Sequence, residues 1–108
     1  MSEFDQRLHI VYQLSISGAT YIGVTAQTEK TVEKSVRTRL AKHWYRAQRE
    51  GRAWLICAAL RQLKSREEVG IQVLAIEQGK TLAHKVERRL IAELNPPLNT
   101  DKRGMNRG

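Results

Sequence analysis

Residues 8–16 read LHIVYQLSI and, after a short Ser17-Gly18-Ala19 break, residues 20–25 read TYIGVT. In the first stretch Ile10, Tyr12, Leu14 and Ile16 fall on one face, the period of two that marks a β-strand. The second is β-prone, and the break between them is short enough for a hairpin, which brings Tyr12 and Tyr21 near each other on paired strands.

Downstream the period changes. Over residues 31–48 the apolar residues Val32, Val36, Leu40, Trp44 and Ala47 recur at spacings of four and three, which predicts an amphipathic helix. Thr31 is its expected N-cap, with Glu33 in the first turn, and Glu50-Gly51 is its expected stop. Residues 53–64 form a second helical stretch, apolar on much of its circumference and therefore buried, with polar residues only at its end. Gly70 introduces GIQVLAIE, a third strand, which Gln78-Gly79-Lys80 breaks. Thr81 is placed to cap a third helix running to Leu94, ended by Asn95 and Pro96-Pro97. The resulting order, ββααβα, predicts an α/β (α+β) domain: a small, three-stranded, mostly antiparallel sheet flanked by helices. The expected domain covers residues 1–100, and a basic, flexible tail occupies 101–108.

A chain of 108 residues makes one compact domain with a modest core. Nineteen Lys and Arg against eleven Asp and Glu leave a formal charge of +8, which suggests a polyanionic partner, nucleic acid first and a membrane surface second. The longest apolar run, residues 53–60, is far below the roughly 20 residues of a spanning helix, so a membrane role is not expected. The start Met1-Ser2-Glu3-Phe4-Asp5 lacks a signal peptide's basic and apolar segments, so an intracellular, cytoplasmic setting is expected. Cys57 is the only cysteine; it can form neither an intrachain disulfide nor a thiolate zinc cluster, and its neighbours Leu55, Ile56 and Ala58 make it a small core residue.

Some polar residues fall where a helix should be apolar. At about 100° per residue, Arg39 and His43 lie within or at the edge of the first helix's apolar arc, one turn apart, with Lys42 and Arg46 just beyond. Snorkelling at the core edge is the ordinary explanation, or a satisfied core histidine at His43. On the third helix the apolar set is Leu82, Ala83, Val86, Leu90, Ile91 and Leu94, and Glu87 projects between Ala83, Ile91 and Leu94. A carboxylate there needs a cation, for which a salt bridge to Arg88 or to another element would suffice. Glu93 falls inside the same arc, near Val86 and Leu90, so geometry alone does not choose between the two glutamates.

Ile10-Val11-Tyr12, then Tyr21-Ile22-Gly23, then Arg39 with His43 one turn on, then Glu87 and Pro96-Pro97-Leu98-Asn99 together resemble a GIY-YIG endonuclease domain over nearly the whole chain. Ile10 stands where that family usually has glycine, and the segment from Gly23 to Arg39 is longer than in many members. Arg39 is the matching arginine rather than Arg37, which lies on the opposite edge of the helix and has no histidine four residues on.

The resemblance implies Tyr12 as general base, Tyr21 as the residue orienting water or phosphate, and Asn99 as the structural hydrogen-bonder that closes the domain. It also implies Glu87 as ligand of one Mg2+ or Mn2+. Backbone hydrolysis needs a deprotonated water in line with phosphorus, relief of the transition-state charge and stabilisation of the leaving oxygen. One carboxylate holding one magnesium ion suits the last of these, and a planar guanidinium at Arg39 suits two phosphoryl oxygens. A phenol with a reference pKa of about 10 is a demanding base, so His43 would serve as proton acceptor or relay. Glu87 is preferred to Glu93 because it precedes Asn99 by twelve positions, the spacing the resemblance implies, and because Glu93 sits in the last helical turn, where the dipole disfavours it and Arg89 is one turn back.

Lys34, Arg37, Lys42, Arg46, Arg49 and Arg52 are the expected phosphate contacts. DNA is the expected partner, with RNA as a second possibility and a homodimer or partner subunit as a source of specificity, since no zinc finger or helix-turn-helix is present. A basic binding module of the same fold without cleavage is the alternative from another class. An adaptor surface at Trp44 and Trp54 has little behind it, because both tryptophans suit a core.

Overall fold

The computed structural model describes residues 7–49 and 55–99. Strands β1 (Leu8–Ile16) and β2 (Ala19–Ala26) form the expected hairpin. They are joined through Ser17 and Gly18, both at positive φ, as in the hairpin turns whose twist matches that of the strands. Helices α1 (Val32–Arg49) and α2 (Leu55–Arg61) follow, then β3 (Gly70–Gln78) and α3 (Lys80–Leu94). The order is ββααβα, and the sheet is antiparallel throughout with strand order β2-β1-β3.

Central β1 is covered on both faces. Ile10, Tyr12, Leu14 and Ile16 point to one side and pack with Val36, Leu40 and Ala47 of α1 and with Ile56, Cys57 and Leu60 of α2. Trp44 joins that core at its edge. Val11, together with Ile22 of β2, meets Ala83, Val86, Leu90 and Ile91 of α3 on the other side. The result is three layers, α1 and α2 against one face and α3 against the other. Among the described residues no helix is long and apolar enough to cross a membrane.

A bulge interrupts the β1–β3 ladder: Val11 pairs with Ala75 but Tyr12 pairs with Val73. Leu74 is the extra residue, and it and Ala75 both join the α3 side of the sheet. Such bulges bend a strand and re-aim its neighbours, here beside Tyr12.

Several local expectations hold. Thr31 Oγ1 accepts a hydrogen bond from the Lys34 amide at 3.1 Å, the N-cap geometry. Others are corrected. Helix α2 ends at Arg61 and not at residue 64, because the last amides turn back three residues, Gln62 to Ala59 and Leu63 to Leu60. Ser65 then caps a 3-10 turn, Arg66–Glu68, in a capping box whose Glu68 carboxylate accepts from the Lys64 and Ser65 amides. Helix α3 starts at Lys80 with Gly79 as N-cap and no side-chain cap bond, so Thr81 is already inside the helix. Its packed stripe is narrower than the sequence suggested: Leu82 and Leu94 are about half exposed. Glu93 is likewise exposed and not in the apolar arc. The expected stop at Glu50-Gly51, the start of the second helix at Ala53, Trp54, Arg52 and the tail 101–108 lie outside the described residues.

Candidate active site

Tyr12 and Tyr21 stand on the α1 side of the sheet at diagonal positions, Tyr12 opposite Gly23 and Tyr21 opposite Leu14. The Tyr12 ring can lie flat across the hairpin only because position 23 has no side chain. A Cβ there would come 2.7 Å from the Tyr12 hydroxyl oxygen, 2.8 Å from Cζ and 3.0 Å from Cε2 of Tyr21. Gly23 is therefore the floor on which Tyr12 rests.

Helix α1 lowers two side chains onto this floor. His43 is buried, with Nε2 3.2 Å from the Tyr12 hydroxyl and its ring edge-on to Tyr21, centroids 5.6 Å apart. Arg39, one turn earlier, stands close enough for its positive charge to act on the Tyr12 oxygen. Its Nε is buried with no hydrogen-bond partner among the described residues. From α3, Glu87 is close enough for its charge to act on both tyrosines. Its side chain is about one-fifth exposed, and Oε1 is 3.0 Å from Nδ1 of His84. Asn99 closes the arrangement: its side-chain oxygen accepts from the Ile22 amide at 2.7 Å and its amide donates to the Ile22 carbonyl at 2.9 Å. This pair of bonds imitates a further strand along the β2 edge and ties the 3-10 turn Pro97–Asn99 to the sheet.

Burial sets the proton positions. It raises the Tyr12 phenol far above its ordinary value, aided by Tyr21, with Arg39 opposing and Glu87 adding. It raises Tyr21 too, followed by the charge of Glu87. It lowers His43 to about 4, with Arg39 and then Arg46 contributing. Near neutrality His43 is uncharged and Tyr12 keeps its proton. The Tyr12 hydroxyl and His43 Nε2 share one hydrogen bond, whose direction follows the ring tautomer. Moving the Tyr12 proton onto His43 is uphill in this state, so base chemistry at Tyr12 needs positive charge brought close to it.

Five of the six residues picked from sequence thus gather at one place, and Asn99 braces the strand beneath. The expected phosphate contacts do not gather. Lys42 borders a cleft together with Arg39, and Arg46 acts on His43. Lys34 and Arg37 line a separate groove with Arg66 and Glu67, and Arg49 stacks over the Tyr45 ring at 5.2 Å. Glu93 pairs with Arg89 at 3.8 Å, the i,i+4 partnership expected of it. His84 was not singled out in the sequence; its place one turn before Glu87 was the signal. Arg7 and Lys80, which share the cleft with Lys42, carried none, because only the folded sheet brings them there.

No family model, curated protein or solved structure matches the chain.

Proposed function

We propose that the protein is a metal-dependent endonuclease of GIY-YIG type that hydrolyses phosphodiester bonds of DNA with little intrinsic sequence preference. The observation that carries this is the buried Arg39 Nε, without an acceptor among the described residues and close to the Tyr12 hydroxyl. A buried, unsatisfied donor costs about 1–3 kcal/mol, and a phosphoryl oxygen presented at Tyr12 would relieve it. Glu87 suits a magnesium or manganese ion: a carboxylate has about four acceptor sites, and His84 engages one oxygen of a group still open to solvent. When bound there, the ion would stabilise charge on the leaving oxygen.

The chain's own residues divide the remaining work. Arg39 neutralises charge developing on the phosphoryl oxygens. Tyr12 accepts the proton of the attacking water once nearby positive charge lowers its phenol, passing its own proton toward His43 Nε2. Tyr21, edge-on to His43, positions the water or phosphate, and Asn99 keeps β2 in register under both tyrosines.

Plasmid nicking with magnesium or with EDTA tests the proposal. The parent protein should cut only with magnesium, Glu87→Gln should not cut while folding and binding DNA normally, and Glu93→Gln should remain active. Cutting by Glu87→Gln at the parental rate refutes the mechanism. Tight DNA binding by a parent protein that never cuts, under any divalent metal, favours a non-catalytic binding module of the same fold.

A further inference from the structure

A cleft of about 730 Å³ opens beside the candidate site, where β1 begins, β2 ends and α3 starts. Its cationic lining comes from separate parts of the chain: Arg7 ahead of β1, Arg39 and Lys42 on α1, and Lys80 at the start of α3. No carboxylate is among the described residues that line it. The groove bearing Lys34 and Arg37, by contrast, includes Glu67. Backbone contact sets the rim of the cleft, because the Gly79 amide donates to the Arg7 carbonyl at 2.9 Å and so holds Arg7 and Lys80 side by side. Like charges gathered in a concave surface repel one another and concentrate anions.

The cleft also meets the site. Arg39, whose Nε has no partner among the described residues, belongs to both, and His84 on the cleft wall is bonded to Glu87. An anionic chain lying in the cleft would be led to the Arg39 guanidinium.

We propose that this cleft is the track for the nucleic-acid backbone, with Arg7, Lys42 and Lys80 as the phosphate contacts that feed a strand to Arg39, in place of the Lys34 and Arg37 face. The assignment rests on the nucleic-acid partner proposed above. Arg7 and Lys80 are exposed, so their replacement leaves the core untouched. Each lost phosphate contact removes about 0.9 from the slope of log affinity against log salt.

The experiment is fluorescence anisotropy of the full chain with a labelled DNA duplex in EDTA across a salt series, comparing Arg7→Gln/Lys80→Gln with Lys34→Gln/Arg37→Gln. The two double variants lose equal charge. The first should weaken binding by roughly tenfold or more and lower the salt slope by about two; the second should change affinity less than twofold. Equal losses in the two variants, or a larger loss in Lys34→Gln/Arg37→Gln, overturn the assignment, as does a parent protein that fails to bind the duplex at low salt. Magnesium-dependent cutting by the parent, measured separately, distinguishes this from failure of the nuclease proposal: the binding pattern can hold without cutting, and cutting can occur with the pattern reversed.

Discussion

Replacing Gly23 with alanine adds one methyl group at the floor of the site. The new Cβ would stand 2.7 Å from the Tyr12 hydroxyl oxygen, where ordinary contact begins at 3.4 Å, so the ring must retreat. That retreat is about 0.7 Å, within the range of overpacking that costs about 1–3 kcal/mol in a filled core. Tyr12 has no slack, being 1% exposed and hydrogen-bonded to His43. Relief of unfolded-chain entropy returns about 0.5–1 kcal/mol for glycine to alanine in a strand, leaving a net loss of about 1.3 kcal/mol at the middle of the two ranges. For a domain of this size that lowers Tm by about 5–10 °C. A reacting group displaced by close to 1 Å can cost about 100-fold in rate. Thermal unfolding followed by circular dichroism, and plasmid cutting well below the melting range, read the two effects separately. A Gly23→Ala protein that melts within 2 °C of the parent and cuts at the parental rate would show that the Tyr12 ring is not held against this glycine.

Two further outcomes follow from the same geometry. His43 is lowered from its ordinary 6.5 to about 4. Its contribution to stability is therefore full above pH 6.5 and is lost as pH falls toward 4, because the unfolded chain takes up a proton that the folded chain refuses. The loss is about 1.4 kcal/mol per pH unit in that window, about 3 kcal/mol in all. Urea unfolding at several pH values should show this slope in the parent and not in His43→Gln, and an identical slope in both would refute it. Arg39→Ala should slow single-turnover cutting by about 100-fold or more with little loss of affinity, the signature of a group acting on developing charge. Lys42→Ala, on the cleft wall, should weaken binding without a separate rate defect, and a rate unaffected by Arg39→Ala would reduce Arg39 to one phosphate contact among several.

The sequence alone determined the element order and the faces of the sheet. Alternation at Ile10, Tyr12, Leu14 and Ile16, and the four-and-three spacing from Val32 to Ala47, are local patterns set by the geometry of a strand and a helix. They survive folding because each matches the face it buries. The Arg89 partner of Glu93 was legible by the same means, although the exposure of Glu93 was not. What only the tertiary structure decided depends on residues distant in the chain. The Tyr12–His43 bond spans 31 residues and the Asn99–Ile22 pair 77, separations at which periodicity carries no information. The need for glycine at position 23 arises from a ring on the neighbouring strand. The division of the basic residues between two grooves arises from where β1, β2 and α3 meet: charge adds up along a sequence, but it attracts a partner only where folding gathers it on one surface.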